Sequence, residues 1–132
     1  MAHVLARLYH MTGVDDCRQR AEALFDTFSG TLAEHPLTLV TMINAFEHLQ
    51  AAMVVVIVGP DSQAAAWRYH VLAVPASDLI VLSGPADSPL VQGRPMINGA
   101  LTAYICRGQT CSAPVTTIEA LVQALTEKDC FT

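Results

Sequence analysis

The chain has 132 residues, enough for one domain that buries most of a modest core. It is 52% hydrophobic and only 14% charged, where about 25% charged is usual, so it has little material for a polar skin and is expected to be covered by further protein. The net charge of −5 and the scattering of its seven basic residues (Arg7, Arg18, Arg20, Arg68, Arg94, Arg107, Lys128) argue against a nucleic-acid partner, and the longest apolar run, 51–58, is far below the roughly 20 residues that span a bilayer.

Three helical segments open the chain. Val4, Leu5, Leu8 and Met11 form a short apolar stripe, and Gly13 supplies a stop. Asp15 or Asp16 can cap a second helix with Cys17, Ala21, Leu24, Phe25, Phe28 and Leu32 on its inner face. Gly30 predicts early fraying there. His35-Pro36 breaks the chain. A third helix is predicted over 37–50, with Leu39, Met42, Ile43, Phe46 and Leu49 turned inward. Short connections of this kind favour antiparallel packing, an α-hairpin array.

The pattern changes at Met53. Residues 54–58 are a β-branched run without alternation, as in a strand covered on both faces. Gly59-Pro60 ends it. Asp61 or Ser62 can cap a helix carrying Ala64, Trp67, Val71 and Val74. A second strand is predicted over 78–82, and strand–helix–strand order argues for a parallel unit. A long connection over 83–100 holds three prolines and the turn-forming pair Asn98-Gly99. A third strand follows over 101–106. Thr116 is then expected to cap a last helix, with Glu119 completing a capping box and Ile118, Leu121, Val122 and Leu125 on the apolar face.

The expected fold is therefore α/β. A helical segment over 1–50 would pack on a small α/β subdomain over 51–132. That subdomain would hold a three-stranded, mainly parallel sheet in the order 2-1-3, with helices on its faces.

Cys106 and Cys111 are the leading candidates for chemistry. They could form a redox pair, with Arg107 stabilising a thiolate, or a disulfide closing the turn around Gly108. Reduced, packed cysteines are the preferred reading, since Cys-x4-Cys is not the redox Cys-x-x-Cys spacing. Cys17 reads as core packing and Cys130 as part of a frayed tail. No cysteine or histidine spacing (His3, His10, His35, His48, His70) fits a metal site. The turn Gly59-Pro60-Asp61-Ser62 opens a helix after a strand, where anions can bind, with Gly59, Asp61 and Ser62 as the residues concerned. It lacks a glycine-rich phosphate motif, so an ordinary βα turn is the preferred reading and an anion site the alternative. Asp15-Asp16 suit a helix start. With no basic leader and apolar core at the N-terminus, a cytoplasmic location is expected.

The C-terminal stretch resembles the closing pattern of the spermatogenesis-associated, thioredoxin-domain-containing family. The matching residues are Gly93, Arg94, Pro95, Asn98, Gly99, Thr102, Ala103, Tyr104, Ile105, Cys106, Arg107, Cys111, Pro114, Val115 and Thr116. The run VVVIVG at 54–59 and the phrase LARLYHMTG at 5–13 are also similar to segments of that family. Gly108-Gln109-Thr110 and Thr117 depart from it, standing where members often have an aromatic residue and an aspartate. Members of the family combine a thioredoxin-like domain, an α/α barrel like that of six-hairpin glycosidases, and a small α/β tail. The resemblance implies that this chain supplies the last barrel helices and the tail. It implies a non-catalytic structural or interaction module without a cofactor, whose partners are the rest of the parent protein. In isolation a homodimer is expected. The alternative is a thiol-redox relay through Cys106 and Cys111 within the parent protein.

Overall fold

The computed structural model describes residues 1–76, 78–108 and 110–126. The chain divides into two compact units, Met1–Ala52 and Met53–Thr132.

The first unit is helical. Helix α1 (Ala2–Thr12) ends at Gly13, whose φ of 70° lets its N–H reach the Tyr9 carbonyl. Helix α2 (Asp15–Glu34) starts at Val14, with no side-chain cap. Asp15 and Asp16 lie inside its first turn, where they complement the helix dipole. Contrary to expectation, the helix runs through Gly30 to Glu34, because one glycine costs only about 1 kcal/mol in a helix interior. After His35 a 3-10 turn, Pro36–Leu39, leads into α3 (Val40–Ala51). The α-helix therefore begins later than the apolar pattern suggests, after a 3-10 turn opened by Pro36.

Helices α1, α2 and α3 all touch one another. Their core is Ala2, Ala6, Ala21, Phe25, Ala45 and Leu49. Four of these six are alanines, so the helices meet closely. Phe25 lies edge-on to Phe46 with ring centroids 5.2 Å apart. Phe46 nonetheless remains 47% exposed.

The second unit is built on strand β1 (Met53–Val58), buried along its whole length. Helix α4 (Asp61–Leu72) connects it to β2 (Leu79–Gly84), which lies parallel to β1. Strand β3 (Thr102–Arg107) lies on the other side of β1 and runs antiparallel to it. A two-residue strand β4 (Thr110–Cys111) follows antiparallel to β3. The sheet is thus four-stranded and mixed, in the order β2-β1-β3-β4.

This corrects the expected three-stranded, mainly parallel sheet. A parallel neighbour requires a connection that carries the chain back across the sheet, usually on a helix. Residues 85–101 hold only the 3-10 turn Pro89–Val91 and tight turns. The chain therefore stays at the end where β2 finished, and β3 enters with Thr102 opposite Val58.

Helices α4 and α5 (Ile118–Thr126) share one face of the sheet rather than flanking both. Ala64, Trp67 and Val71 of α4 join Ile118, Leu121 and Leu125 of α5 in one cluster with Met53, Val55, Ile57, Ala103 and Ile105. The side chain that caps α5 is Thr117, whose Oγ1 accepts from the Ala120 N–H, one residue after the expected Thr116. On the opposite face the turn carrying the fully buried Val91 packs on β1 and β2. Among the described residues no helix is long and apolar enough to cross a membrane.

Candidate functional site

Strand β3 alternates between two environments. Ala103 and Ile105 enter the helix-covered core, while Thr102, Tyr104 and Cys106 turn to the other face. The connection before β3 folds over these three residues. Asn98 and Gly99 both take positive φ, 52° and 71°, and the Ala100 N–H bonds the Ile97 carbonyl. That is the geometry of a type I′ turn, for which Asn-Gly is the favoured pair.

Thr102 fixes this turn from below. Its buried Oγ1 accepts from the Ile97 N–H and donates to the Ala100 carbonyl, both at 2.9 Å. Two residues along, the Tyr104 hydroxyl donates to the Pro95 carbonyl at 2.7 Å. These bonds hold the segment that carries Arg94.

Cys106 and Cys111 are joined by a disulfide, with Cα atoms 3.9 Å apart. They face each other across β3 and β4. The Ser112 N–H donates to the Ile105 carbonyl, and Ala103 exchanges both backbone bonds with Val115. The odd-numbered residues of β3 therefore bond toward β4, and Cys106–Cys111 is a non-hydrogen-bonded pair, the position where facing side chains come closest. Gly108, with φ of 57°, lies in the turn between the strands.

The step from Ile105–Ser112 to Ala103–Val115 spans two residues on β3 and three on its partner. One extra residue is thus accommodated at Ala113-Pro114, as in a bulge. Proline has no N–H to leave unpaired there.

The guanidinium of Arg94 lies over the disulfide. Its Nη2 is 3.9 Å from Cys106 Sγ and 4.0 Å from Cys111 Sγ, and Nη1 donates to the Gln92 carbonyl at 3.4 Å. Among the described residues no carboxylate forms an ion pair with it. Sequence reasoning assigned the cation beside the sulfurs to Arg107. That residue follows Cys106 on the strand and so projects from the opposite face. Arg94 stands 12 and 17 positions from the cysteines, beyond any local spacing rule. Its only signal was the triplet Gly93-Arg94-Pro95.

The structure thus brings Arg94, Pro95, Asn98, Gly99, Thr102, Tyr104, Cys106, Cys111 and Pro114 into one constellation. Gly59, Asp61 and Ser62 lie elsewhere, at the start of α4. Gly59 takes φ of 153°, and a Cβ there would collide with Leu101 Cδ1. Asp61 pairs with Arg68 at 2.7 Å, and Arg68 also donates to Ser83. Those contacts account for the glycine and the carboxylate by packing and pairing.

In the helical unit, sequence reasoning weighed His48 for metal spacing alone and missed that it is buried. His3 stacks on it at 4.8 Å and His10 meets it edge-on at 5.8 Å. His10 Nε2 lies 3.0 and 3.1 Å from the His48 and Leu49 carbonyls. Carbonyls only accept, so that nitrogen carries the proton and caps the last turn of α3. Among the described residues no group of His, Cys, Asp or Glu could hold a metal ion. Cys17 is half-buried with a free thiol, and Cys130 falls outside the described residues.

No family model matches the chain, and no solved structure matches it. It is homologous to spermatogenesis-associated protein 20. The human protein is 29% identical over 126 residues, which cover 87% of this chain and 16% of the relative. The rat and mouse proteins are 28% identical over the same shares. The chain therefore corresponds to about one-sixth of the length of these relatives, as a fragment of a larger protein would.

Proposed function

We propose that this chain is a non-catalytic structural and interaction module, the C-terminal part of a much longer thioredoxin-domain-containing protein whose helical barrel it closes. The observation that carries this reading is an apolar groove on the helical unit. Phe25, Leu32, Ile43 and Phe46, with Asp26 and Ser29, line a cavity of about 330 Å³. Phe28, Val4 and Leu8 are exposed elsewhere on the same helices. An unpartnered apolar surface of this kind marks an interaction site.

The occupant that fits is helical and belongs to the parent protein. The relatives extend far beyond the matched 126 residues, and the helices of an α/α barrel bury apolar stripes on both sides. Cut off from them, the groove pairs with a second copy, giving a homodimer in isolation. A cytoplasmic location, no cofactor, and no nucleic-acid or membrane partner belong to the same proposal, in keeping with the −5 charge.

Sedimentation of the isolated chain at micromolar concentration tests the groove. Self-association is expected, and Phe46→Ser should abolish it while the chain keeps its helical content by circular dichroism. A wild-type chain that sediments only as a monomer would overturn the groove as an interface. In the native cell, the reading requires a product or stable complex well above 14.2 kDa.

A further inference from the structure

We infer that the Cys106–Cys111 bond is a thiol–disulfide exchange site, attacked at Cys111 with Cys106 as the leaving sulfur, which a dithiol reductant can open completely. The inference goes beyond the docking role and stands whether or not the helical groove binds anything.

The two sulfurs are not equivalent. Cys111 is exposed on a two-residue strand at the sheet edge. Cys106 is 3% exposed on a strand enclosed between β1 and β4. An incoming thiolate reaches the accessible sulfur, so attack falls on Cys111.

Arg94 supplies the second observation. A disulfide is neutral and gives a guanidinium little electrostatic reward. A thiolate is anionic, and a neighbouring cation lowers its pKa. Placing a half-buried guanidinium, with no carboxylate partner among the described residues, about 4 Å from both sulfurs suits the state in which one sulfur carries negative charge. The Tyr104–Pro95 and Thr102–Ala100 bonds keep it there.

A purely structural role is a weaker account of the same bond. The cysteines are only five residues apart, and short loops yield the least stabilisation from cross-linking.

The exchange balances as follows. One thiolate of the dithiol attacks Cys111 Sγ and forms a mixed disulfide. The Cys106–Cys111 bond breaks and its electron pair leaves on Cys106 Sγ, held as thiolate by Arg94 until it takes a proton from solvent. The second thiol of the dithiol, having lost its proton, attacks its own sulfur in the mixed disulfide and releases Cys111 as thiolate. Two electrons pass from the dithiol, which becomes a disulfide, to the cysteine pair.

The test uses the full chain with dithiothreitol as the dithiol and glutathione as a monothiol trap. Quenched samples are alkylated and mapped by mass spectrometry, which separates these cysteines from Cys17 and Cys130. Glutathione is expected on Cys111; an adduct found mainly on Cys106 would overturn the direction of attack. Arg94→Gln should slow reduction by dithiothreitol roughly tenfold and move the alkylation profile of Cys106 to higher pH, while Arg94→Lys retains most of the rate. A Gln variant with an unchanged rate and profile would remove Arg94 from the mechanism. Should that variant not fold, raising the salt concentration on the unmodified chain decides the point, since screening must then reduce the Cys106 thiolate fraction.

Discussion

Tyr104 on β3 and Pro95 in the preceding connection are tied by one hydrogen bond of 2.7 Å, hydroxyl to carbonyl. That bond spans the site and links the strand holding Cys106 to the segment holding Arg94. Tyr104→Phe keeps the ring and removes the donor. A loss of about 1 kcal/mol is expected, as for a typical hydrogen bond, read by urea denaturation. Reduction of the disulfide should slow as well, because Arg94 is then less firmly placed.

Thr102→Val is expected to cost about 1–2 kcal/mol, because it removes the one side chain that bonds two backbone groups of the preceding turn. The Ile97 N–H and the Ala100 carbonyl both lose their Oγ1 partner. Thermal melting measures this, and Thr102→Ser should recover most of the loss.

Gly59→Ala meets two obstacles, a φ of 153° and contact with Leu101. The expected loss is about 1–3 kcal/mol. A double-mutant cycle with Leu101→Ala separates them. If the steric term dominates, the combined loss will be smaller than the sum of the two single losses.

His10→Ala removes the side chain that caps α3 through the His48 and Leu49 carbonyls. A loss of about 1 kcal/mol is expected. Hydrogen exchange should quicken in the last turn of α3 while the amides of β1 remain unchanged.

Reduction of the disulfide should lower stability by only ~2 kcal/mol, the chain-entropy figure for a loop this short. The reduced chain should therefore remain folded, with faster amide exchange at Ser112. Global unfolding on reduction would contradict this.

The elements themselves were legible in the sequence where a single pattern governed them. The β-branched run at 54–58, the stop at Gly13 and the turn at Asn98-Gly99 each rest on local chemistry, and each stands where expected. Strand direction was not local. It depended on whether residues 85–101 cross the sheet, which composition does not reveal. Phe46 follows the inward period of its helix yet stays half-exposed, because periodicity marks an apolar face without saying what covers it. His48 is the reverse case, a polar residue made part of an interior by rings from other turns of the chain. At the site, the cysteines were visible as a pair, but the cation over them came from a loop far away in sequence.

The extra residue at Ala113-Pro114 has a consequence for neighbours as well as for the fold. An open sheet edge is a template on which another chain can add a strand. Here the edge beyond β3 offers two residues of regular strand and then a break whose proline cannot donate. The β4 side is thereby closed to growth, and association through it into extended aggregates is blocked.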